Sequence, residues 1–385
     1  MRRWVVFALL ILVTLSAGAA RRLTVAQLEK TLDSAVDGHK PDAELARQMG
    51  SMELSERVSE ATLERLESPL KTFHLSTLAL QLLADKSAFL SLPESELPST
   101  AVPDKVTQQR ILAAARNYVV QTLPRLPNFL ATRVINRYDD SAHALKKGEW
   151  PVRAGLHRVD TSSQEISVSD ERENQPPTQG TAVWERQIGL VSGGEFGTTL
   201  GMVMADSLNG SVLWSHWEQI DSKQAAVFQY AVPRPASHFE LISTLQRESA
   251  IEGFATPSGT RGVAGIGARL NTDPSRTSIL HVKPAYHGSI WVDPDTGTIL
   301  RITIEAELKD SDPFRRAAIL VRYGPVRIGN GTFICPVRSL ALSIAAFNAQ
   351  LDSEDATTWL NETLFVGYHR FASTTRILTD PTAPQ

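Results

Sequence analysis

Three short runs carry residue types that could do chemistry. In Trp291-Val-Asp293-Pro-Asp295-Thr-Gly297, two aspartates and a glycine stand at the spacing that opens a calcium loop. An EF-hand loop also needs oxygen ligands at its fifth, ninth and twelfth positions and glycine at its sixth. Counted from Asp293, those positions hold Gly297, Arg301, Ile304 and Thr298, so the bidentate carboxylate is missing and a cation replaces a ligand. Read as a turn, Asp, Pro and a closing Gly suit a type I corner inside a hairpin. His238-Phe239-Glu240 matches the first half of a zinc deaminase motif, but its partner needs two cysteines and Cys335 is the only one. Ser68-Pro69-Leu70-Lys71 fits S-x-x-K without the companion motifs of that family.

Other constellations are equally incomplete. Gly259, Gly262, Gly265 and Gly267 follow a turn-like ATPS run, whereas a dinucleotide fingerprint follows a strand. His281 and His287 flank Pro284, and both read as strand or surface histidines. Cys335 sits in the apolar run TFICPV and reads as a buried small hydrophobe. No catalytic group, cofactor or metal ligand set is therefore expected, and the chain reads as non-enzymatic. Aromatic residues are the one binding feature. Trp214, Phe228, Tyr230 and Trp291 are the candidate lining of an apolar ligand site, with core packing as the alternative. Strict alternation gives Trp214 and Trp217 opposite parity, so at most one of them is expected to point inward.

These residues need elements to position them. Residues 1–20 form a basic end, an apolar run from Trp4 to Leu15 and small residues from Ser16 to Ala20, the pattern of a cleaved signal peptide. A periplasmic or secreted location follows, with no transmembrane segment left after cleavage. Hydrophobic residues make up 42% and charged residues 21% of the 385, the proportions of a globular chain, and the length suits about two domains. A net charge of −3 offers no basic footing for nucleic acid.

Residues 21–125 are expected to be helical. Val25, Leu28, Leu32 and Ala35 or Val36 recur at helical spacing after a capping Thr24, and Pro41 and Gly50 bracket a second helix. SMELSERV and SEATLERLE follow, with Ser51, Ser55 and Ser59 as competing caps; next come a buried helix in LSTLALQLLADKSAFL and a last one in DKVTQQRILAAARNYVVQTL. Residues 126–378 are expected to form an antiparallel β domain, and 379–385 a tail. Within the β domain, NFLATRVINRYDD and Trp184 to Val191 read as strands, residues 141–181 as polar with a loop, and FGTTLGMVMADSL as a short helix. ILRITIEAEL places Leu300, Ile302, Ile304, Ala306 and Leu308 on one side and Arg301, Thr303, Glu305 and Glu307 on the other, as in a sheet with one wet face. Gly324-Pro325 and Gly329-Asn330-Gly331 read as tight turns, and Ala255 to Ser275 as a long loop. The fold class expected is α+β: a helical region, then a mostly antiparallel curved sheet or unclosed barrel.

The runs YHGSIWVDPDTGTILRITIE, AILVRYGPVRIGNGTFICPVRSLAL and LFVGYHRF resemble the lipoprotein-carrier (LolA/LolB-like) superfamily over about 181–378. The whole chain also resembles a class of bacterial exported proteins of uncharacterised activity, through LTVAQLEKTL, SAFL and LPNFLATR. The carrier resemblance implies an unclosed antiparallel barrel with helices against its concave side and a lipid-like ligand. It transfers no individual residue. Two other functions stay open: an envelope protein-protein interaction or regulatory module acting through the helical region, and a hydrolase with an unrecognised site.

Overall fold

The computed structural model describes residues 22–142, 155–169, 172–174, 190, 192–221, 223–246, 277–310, 312, 314–345 and 356–370. The segments expected to be a signal peptide (1–20), a long loop (255–275) and a tail (379–385), and all but Leu190 of the strand expected at Trp184 to Val191, lie outside them.

The N-terminal helices form where their caps and spacing dictate. In α1 (Val25–Asp37) the Thr24 hydroxyl accepts the Gln27 amide while the Gln27 side chain accepts the Thr24 amide, a capping box. Helix α2 (Asp42–Gly50) follows Pro41. Its Asp42 carboxylate accepts the Leu75 and Ser76 amides at the start of α4 (His74–Ser87), so one helix caps another. Of the three candidate serines, Ser59 is the cap, heading α3 (Glu60–Glu67). SMELSERV is not helical. Strand pairing wins there: β1 (Arg22–Leu23) pairs in parallel with β2 (Glu53–Leu54), and the Ser55 and Arg57 amides bond to Leu23 and Ser91 carbonyls. Helices α1 to α4 share a core of Leu28, Leu32, Leu45, Met49, Leu70 and Leu80.

Helix α5 (Lys105–Thr122) packs elsewhere. Its Ile111, Ala115 and Val119 join Leu200, Val203 and Met204 of α6 (Thr198–Asp206) against a large sheet. The sheet strands are β3 (Phe129–Asp139), β4 (His157–Ser169), β5 (Arg172–Asn174), β6 (Ser211–Ile220) and β7 (Lys223–Val232). A separate hairpin, β8 (Leu241–Gln246) with β9 (Thr277–Val282), precedes β10 (Ala285–Val292), β11 (Ile299–Glu307), β12 (Phe314–Ile328), β13 (Gly331–Ala345) and β14 (Thr357–Arg370). The 10-stranded order is β5-β4-β3-β14-β13-β12-β11-β10-β7-β6. Neighbours are antiparallel throughout, and the end strands β5 and β6 do not meet, so the fold is α+β with an unclosed sheet.

Four local expectations change. The face of β11 opposite the apolar cluster is not wet, because the N-terminal helices cover it: Arg301 and Thr303 are buried, and Leu82 of α4 packs on Leu320, Leu340, Leu342 and Leu360. Leu300 leaves the apolar row, since a bulge pairs Trp291 with Arg301 and Val292 with Ile299, turning Leu300 toward Trp291. Gly324-Pro325 is no turn; β12 runs through it beside a bulge at Arg322 and Tyr323, the setting in which a strand tolerates proline. The other turn is where it was expected, at Gly329-Asn330-Gly331, with Gly329 at a φ of +60°. Finally, part of the polar stretch 141–181 is strand β4, whose ladder with β3 prevails over a sequence poor in apolar residues.

Candidate functional site

Strands β6, β7, β10 and β11 present one apolar face to α5 and α6. Ala226, Phe228, Tyr230 and Val232 line it from β7, as their alternation requires. Trp214 and Trp217 both join them. A bulge between Trp214 and His216 pairs Trp214 with Phe228 and Trp217 with Ala226, so the extra residue restores a common face that strict alternation forbids. The two indoles meet edge to face at 4.8 Å, and Trp214 meets Phe228 at 5.4 Å. Both tryptophans stay partly exposed on the end strand, while Phe228 and Tyr230 are fully covered. Trp217 donates its Nε1–H to the Ala101 carbonyl at 2.9 Å, whereas the Trp214 Nε1–H is buried and makes no hydrogen bond.

The tyrosines beneath are held by hydrogen bonds. Tyr230 donates to the Thr303 carbonyl at 2.7 Å, and Tyr286, edge-on to it, donates to the Asp206 carboxylate at 2.8 Å. Burial first, then neighbouring tyrosine and Asp206 charge, raises the Tyr230 hydroxyl well above its ordinary range, so it stays protonated. Asp206, at the end of α6, also contacts His238 Nδ1 at 2.6 Å and accepts the His238 amide at 2.8 Å. A buried carboxylate thus fixes the orientation of an exposed imidazole. That geometry accounts for His238 in the His238-Phe239-Glu240 run; no other described side chain is hydrogen-bonded to it.

Trp291 stands on the opposite face, because β10 turns Ile290 and Val292 toward the apolar cluster and Trp291 away from it. Its ring is flanked by the guanidinium carbons of Arg57 at 5.7 Å and Arg301 at 5.1 Å, and its Nε1–H donates to Glu218 at 2.7 Å. Glu218 also accepts from Arg57 at 2.7 Å and from Arg301 at 3.4 Å. Burial alone would raise its carboxyl, but hydrogen bonds from His216 and Arg57 and the charges of Arg57 and Arg301 outweigh it and hold the group well below the usual carboxylate range. Burial, and then the Arg57 charge, brings Arg301 down to about 10. Glu60 of α3 extends the chain of charges to Arg301 and Arg322. These residues fasten the N-terminal helices to the sheet.

A second buried cluster lies near β5. One nitrogen of Arg133 is shared by Glu173 at 2.7 Å and Glu195 at 3.0 Å, and Ser192 donates to Glu195 at 2.6 Å. Burial raises the Glu173 carboxyl, Arg133 opposes it and Glu195 adds to it. No local pattern announces Glu218, Arg57 or Arg133; apart from His216 beside Glu218 their side-chain partners lie tens of residues or more away in sequence, and the one signal is a charge at a strand position for Glu218 and Arg133.

The remaining sequence candidates are structural. The Asp293 carboxylate accepts the Asp295 and Thr296 amides at 3.0 and 3.1 Å, while Gly297 N donates to the Asp293 carbonyl at 2.9 Å. The Asp-Pro-Asp-Thr-Gly run is thus an Asx-type turn closing the β10–β11 hairpin. Ser68 to Leu70 form a single 3₁₀ turn whose Leu70 is buried. His287 faces Glu307 at 3.6 Å, and the His281 side chain and the four glycines lie outside the described residues. Burial pushes the Cys335 thiol up to about 12, so it holds its proton. Among the described residues no cluster of three His, Cys, Asp or Glu could hold a metal ion, and no helix is long and apolar enough to cross a membrane.

No protein-family model matches the chain, and no curated protein matches it. Among solved structures, it is similar to a LolA superfamily protein from Nitrosomonas europaea, at 12% identity over 71% of this chain and 97% of that one. The TM-score of 0.26 is too low for that likeness to carry weight for fold or ligand.

Proposed function

We propose that the chain is an exported, non-enzymatic binding protein for an apolar, lipid-like ligand of the cell envelope. The observation that carries this reading is the Trp214 indole N–H, buried without an acceptor in an aromatic cluster on the sheet's end strand. A buried donor left unsatisfied costs about 1–3 kcal/mol. An apolar ligand that brings one acceptor oxygen, such as an ester or carboxyl group, would recover it while its chain lies along the partly exposed Trp214 and Trp217 rings, above the covered Phe228 and Tyr230. Trp291, on the other face between two arginines, has no part in this site. Export rests on the pattern of residues 1–20.

Native mass spectrometry of the protein isolated from its own envelope tests the reading directly, and a co-purifying lipid is expected. In solution, the fluorescent probe N-phenyl-1-naphthylamine should bind and be displaced by a fatty acid. Trp214→Phe should weaken the fatty acid about tenfold by removing the indole donor. A protein that carries no lipid and takes up no probe sinks the proposal.

A further inference from the structure

We propose that the outward face of α5 docks on an anionic lipid surface. This extends the apolar-ligand reading; its purpose rests on that reading, while its geometry does not.

Val106, Ala113 and Val120 recur at seven-residue intervals and so share one stripe of the helix. The stripe faces solvent: Val106 is 74% and Val120 73% exposed, and Val102, just ahead of the helix, 68%. The cations Lys105, Arg110 and Arg116 flank it, exposed Arg125 follows, and no Asp or Glu occurs from Lys105 to Thr122. Such a helix stands out on a chain of net charge −3. Arg57, Arg133 and Arg301, by contrast, are spent on buried carboxylates.

The acidic groups facing α5 are few and sit at its margins. Asp104 caps the helix by accepting the Thr107 amide. Asp293 and the exposed Asp295 lie in the β10–β11 turn, where Gly297 meets Ala114. Asp206 of α6 is turned inward to Tyr286 and His238. An apolar stripe edged by cations is the pattern of a helix lying in a membrane interface, and each such cation strengthens attraction to anionic headgroups. An acidic protein would use the charges but would not need the valines. The stripe is also continuous with the ligand site, since Ala101, beside Val102, accepts the Trp217 indole N–H. Docking would bring the Trp214–Trp217 edge to the lipid.

The test is co-sedimentation of the full chain with vesicles of phosphatidylglycerol and phosphatidylcholine, and with phosphatidylcholine alone. Binding should require the anionic lipid. It should drop at least about fivefold between about 0.1 M and 1 M salt, which shortens the Debye length from about 10 Å to about 3 Å. Val106→Asp with Val120→Asp, and separately Lys105→Glu with Arg110→Glu, should each abolish it, with unchanged melting curves showing that the variants fold. All arms share residues 1–20, so that segment contributes equally. Absence of binding, equal binding to neutral vesicles, or binding that ignores both double variants overturns the proposal. So does capture of an acidic protein while vesicles stay unbound. Naphthylamine uptake without vesicles is scored separately, so the ligand reading and the docking reading fail independently.

Discussion

The Tyr230 hydroxyl reaches across the bare backbone of Gly288 to donate to the Thr303 carbonyl at 2.7 Å. The β10–β11 ladder is interrupted here, pairing His287 with Glu305 and then resuming at Ile290 with Ile302. A Cβ on Gly288 would stand 1.9 Å from the Thr303 oxygen and 2.9 Å from the tyrosine hydroxyl. Tyrosine and glycine thus act together, one filling the gap that the other leaves.

Tyr230→Phe is therefore expected to destabilise the protein by about 1–2 kcal/mol, because the Thr303 carbonyl loses its donor in a buried place. Gly288→Ala should cost more, about 2–4 kcal/mol, since backbone must move to admit the methyl group. Urea unfolding of both variants checks the order. Equal and negligible losses would show that Tyr230 is not a strut beneath the site.

Much of this architecture is visible in the sequence, and the exceptions share a cause. Thr24 and Gln27, or Leu28 and Leu32, act within a turn or two of themselves, so local spacing suffices to place α1. The alternation of Ala226, Phe228, Tyr230 and Val232 likewise settles which residues of β7 face α5 and α6. Bulges escape such reading. Ser215 adds one residue to β6 without any sequence signature, and the parity of Trp217 inverts with it. The second covering of the sheet escapes it too. Arg301 looks like a residue on a wet face until Arg57 and Glu60, from far upstream, are laid over it.

The Asp-Pro-Asp-Thr-Gly hairpin makes a metal prediction and a packing one. Since two backbone amides already occupy one Asp293 oxygen, millimolar calcium and a chelator should give the same melting temperature to within about 1 °C. Gly297, at φ +73°, has the Ala114 backbone within 2.5 Å of any added Cβ. Gly297→Ala should then cost about 1–3 kcal/mol by chemical denaturation, by straining the turn and prising the hairpin from α5. A calcium-dependent rise in stability would restore the metal reading.

Glu218→Gln should be among the most damaging single changes, at about 3–5 kcal/mol, because Arg57 and Arg301 are left buried without their shared counter-charge. Its carboxyl is depressed in the folded state, so its contribution is fully present above the ordinary glutamate pKa. That contribution disappears as pH falls from about 4.5 toward the folded value. Thermal melts between pH 6 and pH 2 should show a steep acid limb in the parent protein. The limb should flatten in the variant, and an unchanged limb would remove Glu218 from the fastening.

Glu173 predicts the opposite slope. Burial and the neighbouring Glu195 raise its carboxyl in the fold, against the pull of Arg133. The folded state therefore holds a proton that the unfolded chain releases at ordinary glutamate pH. Stability must fall as pH rises through the window between the unfolded and the folded pKa. Asp85, raised by burial beside Arg338, titrates in the same sense, so Glu173→Gln is best compared in an Asp85→Asn background. There the amide at 173 should remove the remaining decline in melting temperature above about pH 4.5 while keeping a hydrogen-bond acceptor for Arg133. Because Glu173 lies on the end strand β5, amide exchange at residues 172–174 should slow in the variant at neutral pH. Faster exchange there would mean that Glu173 is charged in the fold and that Arg133 alone neutralises both glutamates.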